Sequence, residues 1–392
     1  MRKFIFIIVV ALGIVTACTS TSEDAKKQVT SLFARADIQI NGNRGWDIQV
    51  HNEQFYERLL GGGSLALGES YMDGWWDSAH IDEFVEHLLK ADLDESVAAT
   101  WEMRWTMLKA YLGNLQDKIG SKKVIDEHYQ LGNDLYKQML DPLMVYSCAY
   151  WKDTDNLTAA QEAKFDLICK KLKLEPGMTL LDIGCGWGGF EKYAAEHYKV
   201  SCVGVTLSQN QADYGRQVCK GLPVEILVKD YRDVQGSFDR VLSIGMFEHV
   251  GKKNFDEFMD VASRCLKPNG LFLLHTIGSN TSCLVTDEWI HKYIFPNGNL
   301  PSIAQIGESI ENRFVMEDWH NFGAYYDKTL MAWCDNFDKA WPKLKGKYGD
   351  RFYRMWKYYL LSCAGSFRAR EIQLWQIVLS KEGVANGYNS VR

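Results

Sequence analysis

The sequence predicts an α/β fold: a mostly parallel sheet covered by helices on both faces, preceded by a smaller and mainly helical domain. Three observations carry that prediction. Five short apolar runs, "MTLLDIGCG", "VSCVGVTLS", "VEILVKD", "FDRVLSIGM" and "GLFLLHTIG", alternate with helical stretches such as "GFEKYAAEHY" and "SQNQADYGRQVCKG". Strands that alternate with helices imply crossover units and a parallel sheet. A glycine-dense turn, "LLDIGCGWGG", opens directly from the first run, and the region before the runs is periodic in the helical sense.

In chain order, the first element is a leader over residues 1–22. Arg2 and Lys3 precede "FIFIIVVALGIV", which ends in Val15, Thr16, Ala17 and Cys18. That is the basic start, short apolar stretch and small-residue end of an export signal, and its last four residues resemble a lipoprotein lipobox with Cys18 as the acylated residue. A short N-terminal membrane anchor, or an upstream start codon the working protein does not use, are the other readings. No later run is long and apolar enough to span a bilayer.

Residues 29–113 form the predicted N-terminal domain. It holds a short strand in "DIQVHN" and helices through "HIDEFVEHLLKADL" and "TWEMRWTMLKAYLGNL". Gly61, Gly62 and Gly63 are expected to break a helix, and "MDGWWD" puts Trp75 and Trp76 near a turn. The two Trp read as core plus rim, and they are also the candidates for membrane contact. A polar linker over 114–125 leads into the catalytic domain, 126–392. There, "NRFVMEDWHNFG" and "IQLWQIVLSK" are expected to add edge strands.

A length of 392 residues favours two domains over one. A net charge of −6 gives no support to a nucleic-acid partner. Thirteen Trp within an aromatic content of 13% suit broad apolar contact surfaces, as in a protein that handles an acyl chain. The ten Cys contain no CxxC pair and no framework spacing, so they read as free thiols of a reducing compartment, against the export-like leader. No metal site is assigned.

The glycine turn is expected at the carboxyl end of the first sheet strand, where ligands of open α/β sheets bind. Gly184, Gly186 and Gly188 let backbone approach a ligand, and the following helix offers unbonded N–H groups. Dinucleotide sites use similar turns. Asp182 ahead of the first glycine, the non-acidic "GVTLS" at the second strand end, and Asp230 at the third favour S-adenosylmethionine instead.

The motifs "EHYQLGNDLY", "MVYSCAYW", "LDIGCGWGG", "GVTLSQNQ", "IGMFEHVG", "HTIGS", "KYIFPNG" and "SCAGSFRAR" occur in the order found in the cyclopropane-fatty-acyl-phospholipid synthase family. The chain resembles that family from about residue 32 to the C-terminus, and the leader is the departure. The resemblance implies a Rossmann-like class I methyltransferase sheet. It also implies transfer of a methylene from S-adenosylmethionine to the cis double bond of an unsaturated acyl chain in a phospholipid bilayer.

An alkene is a weak nucleophile, so such an enzyme must align methyl and double bond in a dry pocket. The carbocation that follows needs aromatic faces and a base of modest strength. The family uses bicarbonate as that base. Positions matching its ligands are Cys148, Glu248, His275, Ile277 and Tyr326, with Glu248 accepting the bicarbonate O–H, and His275, Tyr326 and the Ile277 N–H donating. Singly, Cys148 also reads as a small buried hydrophobe, His275 as a core histidine and Glu248 as a helix cap. Cys363 matches a cysteine long associated with the active site, in a chemical or a packing role.

For the cofactor, the resemblance assigns Tyr146 and Ser147 to the methionine end, and the glycine turn to methionine and ribose. Thr206, Leu207 and Gln211 fall to the ribose, and Asp230 and Tyr231 flank the adenine. Thr206 also reads as a helix N-cap. Arg368 and Arg370 are candidates for lipid phosphate, with salt bridges to carboxylates as the alternative. The resemblance further implies a homodimer. Because S-adenosylmethionine is cytoplasmic, the expected location is peripheral, at the cytoplasmic face of the inner membrane; the alternative is a lipoprotein anchored at Cys18.

Overall fold

The computed structural model describes residues 22–91, 132–282 and 286–392. The lipobox with Cys18, the linker over 114–125, the stretch "TWEMRWTMLKAYLGNL" and Cys283 lie outside the described residues. The chain divides into two compact units, each discontinuous in sequence. One comprises 1–113, 283–296 and 330–372; the other comprises 114–282, 297–329 and 373–392. The contiguous 126–392 domain read from the sequence therefore differs from the folded unit, because helical segments late in the chain join the N-terminal ones.

In the helical unit, α1 (Ser22–Arg35), α2 (Phe55–Met72) and α3 (Ile81–Lys90) accompany a two-strand ribbon of β1 (Gln49–Val50) and β2 (Trp76–Asp77). The three glycines do not end α2; the helix runs on through a kink at Gly63, whose φ of 50° leaves the helical region. Trp76 is 0% exposed, its indole N–H donates to the Leu67 carbonyl, and its ring meets Phe55, Tyr71 and Phe84. Trp76 is thus core, not a membrane contact. Trp75 is half-buried beneath the Arg58 guanidinium.

The sheet unit holds α4 (Asn133–Met139), α5 (Leu157–Lys171), β3 (Thr179–Ile183), α6 (Gly189–Tyr198), β4 (Ser201–Thr206), α7 (Gln209–Val218) and β5 (Val224–Val228). It continues with β6 (Phe238–Ile244), α8 (Phe255–Cys265) and β7 (Leu266–Ser279). A short helix, α9 (Glu288–Tyr293), belongs to the helical unit, before α10 (Ile303–Ile310) and β8 (Val315–Asn321) of the sheet unit. Helix α11 (Ala324–Tyr348) starts in the sheet unit, its residues from Leu330 on and those of α12 (Asp350–Arg368) are helical-unit residues, and β9 (Ile372–Ser380) closes the sheet.

Arg368, in the last turn of α12, pairs with Asp82 at 2.7 Å, so it takes the salt-bridge reading.

The strand order is β5-β4-β3-β6-β7-β9-β8. Strands β3 to β7 pair in parallel and β8 pairs antiparallel with β9. All five predicted strands form. Leu181, Ile183, Val241, Phe272 and Leu274 face one core, with Phe258 and Val261 of α8. Leu180, Leu242, Leu271 and Leu273 face the other, with Phe165 and Ile168 of α5. Alternate residues of one strand thus enter opposite cores, which explains unbroken apolar runs. Of the two expected edge strands, β8 is an edge, while β9 is inserted between β7 and β8 and is buried almost throughout. The chain builds outward from β3 in both directions, so the order reverses between β3 and β6, and that crevice is where a ligand sits in such sheets.

Candidate active site

The glycine turn lies at this reversal. Gly184, Gly186 and Gly188 have φ of +99°, +54° and +81°, a region that side chains disfavour. The Gly184 and Cys185 N–H groups both donate to the Val205 carbonyl at 3.0 Å, which ties the turn to β4. A Cβ at Gly184 would lie 2.8 Å from Met246, whereas one at Gly186 would meet nothing within 4 Å. The turn is packed from behind and open at its centre. Helix α6 then begins at Gly189 with no side-chain cap, leaving its first N–H groups for a ligand.

Around the turn, Tyr136 of α4 packs on Trp187 at 5.0 Å and on Tyr146 at 5.3 Å. The Trp187 indole N–H donates to Asn133 at 3.0 Å. At the end of β4 the Thr206 hydroxyl donates to Gln211 Oε1 at 2.8 Å. Ser208, not Thr206, is the N-cap of α7, accepting from the Gln211 N–H. Leu207 between them is half-buried. Asp230 is gripped by Arg232 through Nε at 2.8 Å and Nη2 at 2.7 Å, and Tyr231 packs its ring on Phe258 in the core.

Beneath the turn lies a buried set of charges. Lys164 of α5 is fully buried and its Nζ donates to Ser147 Oγ at 2.7 Å. Burial pushes the ammonium down to about 7, against the pull of Asp141, Cys148 and Asp182. Burial likewise pushes Asp182 up to about 7, partly offset by Glu191 and Lys164. Glu191 is raised further by burial and by the Asp182 charge.

The second half of the site forms where β6 ends against β7, with Ile244 opposite His275. Glu248 sits on the turn after β6. Its Oε1 accepts the Ile277 backbone N–H at 2.7 Å, and its buried Oε2 has no partner among the described residues. The Ile277 N–H is therefore engaged by Glu248, where the sequence reading gave it to bicarbonate. Burial pushes the Glu248 carboxyl up to about 7. His275 is 1% exposed; its Nδ1 lies 3.2 Å from Gln376 Nε2 of β9, and its Nε2 has no partner among the described residues. Burial and the charges of Lys164 and Lys171 keep this imidazole neutral.

Cys148 is 0% exposed, its thiol donates to the Ala149 carbonyl, and burial pushes its pKa up, so it stays a thiol. Its segment is fastened by Thr329 Oγ1, which accepts from the Ala149 N–H at 3.1 Å and the Trp151 indole at 2.9 Å. Tyr326 lies buried one turn earlier on the same helix. Phe322 touches both His275 and Tyr150, with ring centres 6.0 and 5.3 Å away. Cys363 belongs to α12 of the helical unit; it is half-buried, and burial pushes its thiol up to about 12.

Lys164, Thr329 and Gln376 were missed in the sequence. A lysine in a helix reads as surface, but the lone Gln376 inside the apolar run "LWQIVL" was a visible signal.

A seven-stranded sheet of this order with a glycine turn at its reversal defines a class I S-adenosylmethionine-dependent methyltransferase. A profile of the family described as mycolic acid cyclopropane synthetase matches residues 116–377, and the chain belongs to that family. It is 55% identical over 361 residues to the cyclopropane-fatty-acyl-phospholipid synthase of Escherichia coli (strain K12), covering 92% of this chain and 94% of that one. The cyclopropane synthase MmaA2 from Mycobacterium tuberculosis superposes with a TM-score of 0.63 at 33% identity, covering 66% of this chain and 98% of that one. The mycolic acid cyclopropane synthase CmaA1, complexed with SAH and CTAB, does so with a TM-score of 0.62 at 34% identity, covering 66% and 98%.

Proposed function

We propose that this protein is a cyclopropane-fatty-acyl-phospholipid synthase. It transfers a methylene group from S-adenosylmethionine to the cis double bond of an unsaturated acyl chain in a membrane phospholipid, giving a cyclopropane fatty acid and S-adenosylhomocysteine. The observation that carries the reading is two buried atoms without partners among the described residues, Oε2 of Glu248 on the turn after β6 and Nε2 of His275 on the neighbouring strand β7. Buried polar atoms are almost always satisfied, so two left open among the described residues call for a polar ligand.

S-adenosylmethionine, when bound, supplies an activated methyl group; the open side of Gly186 and the uncapped start of α6 support its place at the turn. Bicarbonate, when bound, supplies a base of modest strength. In this reading Glu248 Oε2 accepts its O–H and His275 Nε2 donates to it, with Tyr326 as a further donor and Cys148 closing the wall. Tyr150, Phe322 and Tyr325, in mutual ring contact next to His275, offer aromatic faces to a developing cation. A homodimer and peripheral attachment at the cytoplasmic face of the inner membrane complete the reading. No helix of the described residues is long and apolar enough to cross a membrane.

The test is incubation of the full chain with phospholipid vesicles bearing a cis-monounsaturated chain, methyl-labelled S-adenosylmethionine and bicarbonate. Ring-containing chains heavier by one CH2, formed in step with S-adenosylhomocysteine, are expected. S-adenosylhomocysteine production without any lipid product would overturn the substrate.

A further inference from the structure

Gln376 is the middle of β9, 0% exposed, and its side chain points at a ring nitrogen of a residue already placed in the site. The geometry is informative because the partners differ in what they can do. An amide NH2 only donates, so in the orientation that sets Gln376 Nε2 3.2 Å from His275 Nδ1 the ring nitrogen accepts and the ring proton sits on Nε2, while Gln376 Oε1 has no partner among the described residues. The opposite rotamer of the amide would present Oε1, demand a proton on Nδ1, and leave Nε2 bare.

The two arrangements have different consequences for the oxyanion site proposed above, in which Nε2 and Glu248 Oε2 are the two walls. With Nε2 bare, a lone pair and a carboxylate oxygen would both be acceptors there, and an oxyanion would find no donor from the ring. With Nε2 protonated, one wall donates and the other accepts, which suits an anion that itself carries one O–H. The imidazole is neutral and buried on all sides, so solvent does not choose its tautomer; the neighbour on β9 does.

We propose that Gln376 is a positioning residue that fixes His275 as the Nε2–H tautomer and so makes it the hydrogen-bond donor to the oxyanion held with Glu248. This rests on the oxyanion site of the proposed function. It also accounts for a polar side chain kept in the interior of an otherwise apolar strand, where the burial of an amide needs compensation.

The experiment uses the full chain with 15N-labelled histidine and long-range proton–nitrogen correlation spectra, His275 being assigned by the signals lost in His275→Asn. Wild type is expected to show Nε2–H. Gln376→Glu, whose carboxylate needs a proton on Nδ1, is expected to switch the tautomer. It should raise the KM for bicarbonate ~10- to 100-fold, the worth of a hydrogen bond to a charged group, with S-adenosylmethionine affinity unchanged. Gln376→Met keeps the volume, removes the donor, and should show mixed tautomers with a smaller rise. If Gln376→Glu does not fold, wild type and Gln376→Met decide alone. An Nδ1–H wild type, or variants that keep both tautomer and bicarbonate KM, would overturn the proposal. A wild-type rate indifferent to bicarbonate, with Nε2–H intact, would instead overturn the oxyanion site and the donor role built on it.

Discussion

The buried ammonium of Lys164 donates to the Ser147 hydroxyl at 2.7 Å, so helix α5 holds the Tyr146 to Cys148 segment through a charge that never reaches water. Gln161, one turn earlier on the same helix, adds a bond to the Ser147 carbonyl at 2.9 Å. The segment that carries the expected cofactor contacts is thus positioned by a helix outside the glycine turn.

Lys164→Met leaves Asp141 and Asp182 buried without their cation. Together with loss of the buried bond to Ser147, this is expected to cost ~1–3 kcal/mol in urea unfolding. A cost below ~1 kcal/mol would mean that the carboxyls take up protons and the network is already neutral.

Glu248 is held above its unfolded pKa of 4.5, at about 7, so the folded state binds its proton more tightly and stability from this group falls as pH rises from 4.5 to 7. Glu248→Gln removes that dependence. The variant is expected to match wild type near pH 4.5 and to make no rings. Above pH 7 it should be the more stable protein by a few kcal/mol, at ~1.4 kcal/mol for each pH unit that separates the folded from the unfolded pKa. Parallel pH profiles of thermal unfolding for the two proteins would contradict the buried, raised carboxyl.

Thr329→Val removes the acceptor of two buried donors, the Ala149 N–H and the Trp151 indole. Each orphaned donor costs ~1–3 kcal/mol, whereas Thr329→Ser keeps the oxygen and is expected within ~1 kcal/mol of wild type. A Val variant as stable as the Ser variant would show that the two bonds accepted by the hydroxyl carry no weight.

Gly186→Ala and Gly188→Ala separate ligand space from packing. A Cβ at Gly188 would press Ile226 at 3.0 Å and Gly215 at 3.1 Å, so this variant is destabilised by both strain and contact. At Gly186 only the left-handed backbone is penalised, by ~1–2 kcal/mol, and calorimetry with S-adenosylmethionine should show a loss of affinity of at least ~10-fold, the equivalent of ~1.4 kcal/mol. Unchanged affinity in Gly186→Ala would move the cofactor away from the turn.

Local pattern alone specified the five parallel strands, the turn and its glycines, because a strand buried on both faces is apolar at most of its residues and a left-handed turn favours glycine. Glu248 and His275 were legible only through the motifs "IGMFEHVG" and "HTIGS" that the chain shares with the family it resembles. Local pattern could not say that β9 enters the sheet beside β7, because strand order depends on which edge is left uncovered when the chain returns. Trp76 went the same way: the sequence read Trp75 and Trp76 as core plus rim, and the rings of Phe55, Tyr71 and Phe84 packed on Trp76 decide that it is the core member.

What only the tertiary structure decided is who faces whom. Lys164 reads as a surface residue until α5 packs it against Ser147. The Ile277 N–H reads as free until Glu248 turns onto it, and Gln376 acquires a role only when β9 lies against His275. The physical reason is that secondary structure follows from periodicity along the chain, whereas a buried polar group is tolerable only beside its partner, and partners distant in sequence meet through packing.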